Sequence, residues 1–199
     1  MANDISKTYI INLALTQIGQ KIISSETEET QTARTARLIY DVVRRNLLRA
    51  HDWVFALRFT YLPAVETESP FIRLPYVFAL PADCLFLKQI SYDGTPDKHR
   101  FPFKLFNDEK GNKLVACSLD RARAQYVADV EDTTLFDPSF VACFMLLLAA
   151  ELAVPIAGDS NLAQLMLSKY QSKLDEARLS NKVEQFEVPE RTSTFLEAR

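Results

Sequence analysis

The sequence predicts an α+β fold: a four-helix bundle formed by the N- and C-terminal helices, an inserted β-rich subdomain and an extended C-terminal tail. Three observations predict it. Apolar residues recur at helical spacing at both ends of the chain. Between them Pro63, Pro70, Pro75, Pro81, Pro96 and Pro102 cut the chain into short apolar or alternating runs. The last residues lose periodicity altogether. The expected boundaries are 1–52 and 134–183 for the bundle, 53–133 for the insertion and 184–199 for the tail.

Asn3 or Asp4 is placed to cap the first helix and Gly19 to close it. Ser25 or Thr27 then opens a second helix, with Glu28 and Glu29 in the first turn, where the helix dipole favours acids. Ala36, Tyr40, Val43, Leu47 and Ala50 recur every three or four residues and make its buried stripe. In the middle region Val54–Leu62, Tyr76–Leu80, Leu85–Tyr92, Lys113–Ala116 and Arg121–Val130 read as strands, with turns at Asp93-Gly94 and Lys110-Gly111-Asn112. Asp137-Pro138 starts the third helix, an N-cap followed by proline at the first helical position. That helix, to Val154, is apolar almost all round and is expected at the centre of the core. A fourth helix at 160–180 buries Ala163, Met166, Tyr170, Leu174 and Ala177.

Composition narrows the function. A net charge of −3 over 199 residues gives no general attraction to nucleic acid, so any basic function is local. Cys84, Cys117 and Cys143 are far apart and odd in number, which favours free buried thiols over disulfides or zinc. Phe140–Ala157 is the one membrane candidate, but Glu151 and Pro155 interrupt it, and a core helix is the stronger expectation. Neither a phosphate-binding glycine loop nor a glycine-flanked serine elbow is present. His51-Asp52 is a sequence-neighbour pair at a helix end, so no catalytic residue, cofactor or metal is expected.

One constellation stands apart. Arg34, Arg37, Arg44, Arg45 and Arg49 fall together on the side of the second helix away from its buried stripe, with Asp41 among them. A solvated face partly neutralised by Asp41 is one reading. The other is an interface, because arginine suits bidentate contacts with carboxylates or phosphates. Phe186 and Phe195 lie in a tail with little to bury them, and they are candidates for docking on a partner chain.

A broader pattern runs through Ala14-Leu15, Ile18-Gly19, Ile22, Ser24-Ser25, Ala33, Ala36, Tyr40, Arg44, Leu47-Leu48 and Trp53 with Phe55-Ala56. It continues at Tyr76, Leu80-Pro81-Ala82-Asp83-Cys84-Leu85 and Ile90. The pattern resembles the tail tubular protein A family, the head-to-tail adaptors of short-tailed bacteriophages. Phe78 stands where those adaptors often carry a second tyrosine, and Asp52 and Val54 flank the tryptophan in place of asparagine or proline. The resemblance implies a non-enzymatic virion protein without cofactors, built in the host cytoplasm and placed at the neck. It implies a homo-oligomeric ring, usually of twelve copies, under the portal protein. Such a ring extends the channel through which double-stranded DNA passes and carries the tail nozzle, and no membrane is involved. Two other readings remain: a stopper or terminator of a long-tailed phage neck, and a small helical nucleic-acid-binding protein using residues 34–49.

Overall fold

A computed structural model of the chain describes residues 5–92 and 101–184. Helix α1 (Lys7–Gln17) is capped by Ser6, whose side chain accepts from the Tyr9 N–H. Asn3 and Asp4, the expected caps, lie outside the described residues. Gly19 ends the helix at φ +67°. Helix α2 (Gln31–Ala50) begins later than expected, because Thr30 is its cap. Glu28 instead folds back, and its carboxylate accepts from the Ser24 N–H at 2.9 Å.

Residues 54–56 form one 3-10 turn after Trp53, and the chain then enters strand β1 (Leu57–Tyr61). Strands β2 (Tyr76–Ala79), β3 (Cys84–Ser91), β4 (Phe103–Asn107), β5 (Lys113–Cys117) and β6 (Arg123–Ala128) follow. They make two three-stranded antiparallel sheets, ordered β1-β6-β3 and β2-β5-β4. Strand β4 is not among the expected strands, although Phe103-Lys104-Leu105 alternates over three residues. The β4–β5 turn falls at the expected Lys110-Gly111-Asn112, with Gly111 at φ +83° and the Asp108 carboxylate accepting from the Asn112 N–H. The Asp93-Gly94 turn lies outside the described residues.

Helix α3 (Pro138–Leu152) is capped by Asp137 as the sequence indicates. Pro155 has no N–H to give to the helix, and residues 153–157 widen into a π turn. Gly158 closes it at φ +67°, and the Asp159 carboxylate caps α4 (Ser160–Glu184). A Cβ at position 158 would meet nothing within 4 Å, so only backbone strain opposes a side chain there. Gly158→Ala is expected to lower stability by about 1–2 kcal/mol, read as a shift in denaturation midpoint.

The expected four-helix bundle with an inserted β-rich subdomain is overturned. The described residues form an α+β mix of four helices and two sheets built around a shared core. The reason lies in α3. It is apolar on all sides, so it must be covered on all sides, and α1, α2 and α4 each pack on it. Phe140, Phe144, Leu148 and Leu152 are fully buried there. The length and apolarity of Pro138–Ala157 would also suit a membrane span, but here the helix is the hub of the packing. The sheets do not stand off from this hub. Leu62, Phe78, Leu87, Ile90, Val115 and Tyr126 belong to the same continuous apolar core as the helices. A bundle would have closed that core on itself.

The central strand of the second sheet, β5, is buried on both faces. Phe78, Val115 and Cys117 look into the shared core. Leu74, Val77, Leu114 and Ala116 are also buried but outside that core. The 63–75 connection lies beside them, with Phe71 edge-on to Phe106 at 5.9 Å and the Lys104 ammonium over the Phe71 ring.

Candidate functional site

The five arginines of α2 do not form one exposed row. Arg44 is 1% exposed, and its burial is a correction to the expected face. Its Nη1 donates to Asp129 Oδ1 at 2.6 Å and to the Val130 carbonyl at 2.6 Å. Its Nε points to Asp41 Oδ1 at 3.4 Å, and Nη2 faces Glu131 Oε1 at 3.6 Å, beyond hydrogen-bond reach. Arg45 donates from Nε to the other Asp129 oxygen at 2.8 Å. One carboxylate therefore takes both arginines. The physical reason is angular: position 44 sits about 120° around the helix from position 38, on the side where β6 ends.

Asp129 is itself held in place. Its N–H donates to the Asp83 carbonyl at 2.7 Å, and the Asp83 carboxylate accepts from the Tyr126 hydroxyl at 3.1 Å. The Leu80-Pro81-Ala82-Asp83-Cys84-Leu85 run thus fixes the end of β6 and aims a carboxylate at α2. Asp129-Val130-Glu131-Asp132 was the sequence signal for this partner, an acidic cluster just after a strand.

The remaining arginines do not share this carboxylate. Arg34 pairs with Glu29. Arg49 stacks its guanidinium over Phe86 at 5.6 Å from the ring centre. Arg37 is half-buried. Two residues that sequence reasoning passed over share the outer side of α2 with Arg34, Arg45 and Arg49. Leu38 is 79% exposed and Val42 is 59% exposed. They fall one turn apart, between arginines, and their signal was an apolar pair out of phase with the buried stripe.

At the end of α2 the chain turns into an aromatic cluster. The Trp53 indole N–H donates to the Leu47 carbonyl at 2.9 Å. Its ring meets Phe140 edge-on at 5.1 Å, and Phe140 in turn meets Phe55, Phe136 and Phe144. His51 packs edge-on to Trp53, and Asp52 ion-pairs with Lys88. Burial pushes the His51 pKa below 6.5, against the opposing pull of Asp52. A base with a depressed folded-state pKa disfavours the folded state once the unfolded chain begins to take up protons. The His51 contribution is therefore complete above about pH 6.5 and falls away as the pH drops through it. His51→Gln is expected to flatten the denaturation midpoint between pH 7 and about pH 5.5, compared with the parent.

Cys84 is half-buried, while Cys117 and Cys143 are buried, and none is in a disulfide. Burial raises all three thiol pKa values, Cys143 to about 11. Among the described residues, no group of three or more His, Cys, Asp or Glu side chains converges as a metal site. Phe186 and Phe195, the tail candidates, lie outside the described residues. The chain matches no protein-family model, and no curated protein shows significant similarity to it.

Proposed function

We propose that the protein is a non-enzymatic structural subunit: a head-to-tail adaptor that forms a ring, of about twelve copies, under the portal of a short-tailed phage. In this reading it acts at the virion neck after assembly in the host cytoplasm. It uses no cofactor and no membrane. Its partners are further copies of itself, the portal protein and the tail nozzle, and double-stranded DNA passes through the ring without being gripped. A chain of net charge −3 suits such a passage better than a basic one.

The observation that carries the proposal is the outer side of α2. Leu38 and Val42 are exposed between Arg34, Arg45 and Arg49. An apolar centre with an arginine rim is the composition of a protein–protein interface. A nucleic-acid surface would put its arginines free toward phosphates, whereas here Arg44 is buried and Arg45 already holds Asp129. The residues of the adaptor resemblance add support from a different direction. Of these, Ala14, Leu15, Ile18, Ala33, Ala36, Tyr40, Arg44, Leu47, Leu48, Trp53 and Ala56 are buried, whereas Ile22 and Tyr76 are exposed. A resemblance carried mostly by buried positions bears on packing rather than on surface chemistry.

Native mass spectrometry across a range of concentrations tests the interface. The parent chain is expected to form higher species that Leu38→Asp with Val42→Asp abolishes, with the circular dichroism of the fold unchanged. Reversing Arg34, Arg45 and Arg49 together should weaken assembly, while any one alone should do little, since an exposed ion pair contributes about 0–1 kcal/mol. Assembly indifferent to Leu38→Asp with Val42→Asp would remove α2 from the interface.

A further inference from the structure

Strand β1 is an edge of the first sheet and pairs with β6 on one side. Just past its end, the Leu62 N–H donates to the Ala122 carbonyl at 2.9 Å. Paired positions alternate along an antiparallel ladder, so Thr60 and Arg58 turn their backbone groups toward β6. Phe59 turns its N–H and carbonyl the other way, off the edge of the sheet. The strand, Leu57-Arg58-Phe59-Thr60-Tyr61, carries neither the proline nor the lysine that commonly blocks an edge.

The side chains on one face of this edge are equally distinctive. By register, Phe59 lies across from Gln125 and Gln89, and Tyr61 across from Arg123 and Ser91. Both aromatic side chains are exposed. The Arg123 guanidinium lies over the Phe59 ring, 5.4 Å from its centre, and the Arg121 guanidinium lies over Tyr61 at 5.5 Å. Stacking thus carries both charges from β6, and from the turn before it, across to β1. A further strand beside β1 would lie only about 4.8 Å beyond. Among the described residues neither guanidinium has an acidic partner. None of the six face positions just named is acidic. Each ring therefore holds a flat fork of N–H donors in place, in the form that carboxylates accept bidentately.

We propose that β1 is the docking edge for an extended acidic segment of another protein, which adds as a strand beside Phe59 and places its carboxylates on Arg121 and Arg123. Charge and backbone select this occupant. A second copy of this chain, paired edge to edge through β1, would bring two more guanidiniums and no carboxylate from that strand. A phosphate backbone accepts hydrogen bonds but gives none to the Phe59 carbonyl, and the guanidiniums already cover the rings on which bases would stack. The inference uses none of the α2 residues and does not depend on the adaptor reading.

The test is a titration of the full, isotopically labelled chain with a synthetic peptide of alternating glutamate and valine, followed by amide NMR. The Phe59 amide should shift and gain protection from hydrogen exchange. Lysine in place of glutamate in the peptide should weaken binding by roughly tenfold or more, and so should Arg121→Glu with Arg123→Glu in the protein. Both arginines are exposed, so the double variant should keep the circular dichroism of the parent. A third arm changes the probe alone: the acidic peptide N-methylated at alternate amides should not bind, because it cannot pair with the edge. No shift at Phe59 at the highest soluble peptide concentration would overturn the proposal, as would binding indifferent to N-methylation or to charge reversal. Tighter binding of single-stranded oligothymidylate at Phe59 would overturn it in favour of nucleic acid. Protection of Phe59 that grows with protein concentration, without peptide, would overturn it in favour of a second copy.

Discussion

Arg44→Met should lower the stability of the folded chain by about 3–5 kcal/mol, because removing one partner of a buried ion pair strands the other. The guanidinium is 1% exposed, and it satisfies Asp129 and the Val130 carbonyl together. Asp129 keeps Arg45, so the loss should fall toward the lower end. Arg45→Met is the control. Its side chain is 51% exposed, and the loss should stay within about 1 kcal/mol. Urea denaturation of the two variants separates them. A similar small effect for both would mean that the tie between α2 and the end of β6 does little for the fold.

Phe140→Ala should cost about 3–5 kcal/mol through the cavity it leaves. Phe140 touches the rings of Trp53, Phe55, Phe136 and Phe144, and it is fully buried. This cluster joins the turn after α2, the segment before α3 and α3 itself, so the cavity loosens several elements at once. The expected signs are a lower thermal midpoint and a red-shifted Trp53 emission as water reaches the indole. An unchanged emission with full stability would show that the cluster collapses around the gap.

The sequence made most of the elements legible, for reasons that can be traced. Asp137-Pro138 is a local signal and gave the start of α3. The stripe Ala36, Tyr40, Val43 and Leu47 is also local and is buried. Thr30 was passed over as the cap of α2 because Ser25 and Thr27 offered the same chemistry earlier, and only the fold-back of Glu28 decides between them. The arrangement was harder to read. Nothing local says that the sheets share the core of the helices, because that depends on which residues face Phe78 or Ile90 across distant parts of the chain. The arginine face failed at Arg44 for the same reason. Helical angle puts it at the margin of the stripe, about 40° from Tyr40, but its partner Asp129 is 85 residues away. Leu38 and Val42 were visible all along as apolar residues out of phase, and their exposure becomes informative only once α3 is known to occupy the other side of α2.

Sedimentation of the purified chain with the portal ring of a short-tailed phage, followed by electron microscopy of any complex, tests the proposed adaptor role directly. If the proposal holds, a second ring of about twelve copies is expected stacked on the portal, with the outer side of α2 between subunits or against the portal. A chain that sediments alone as a monomer in the presence of the portal ring would contradict it.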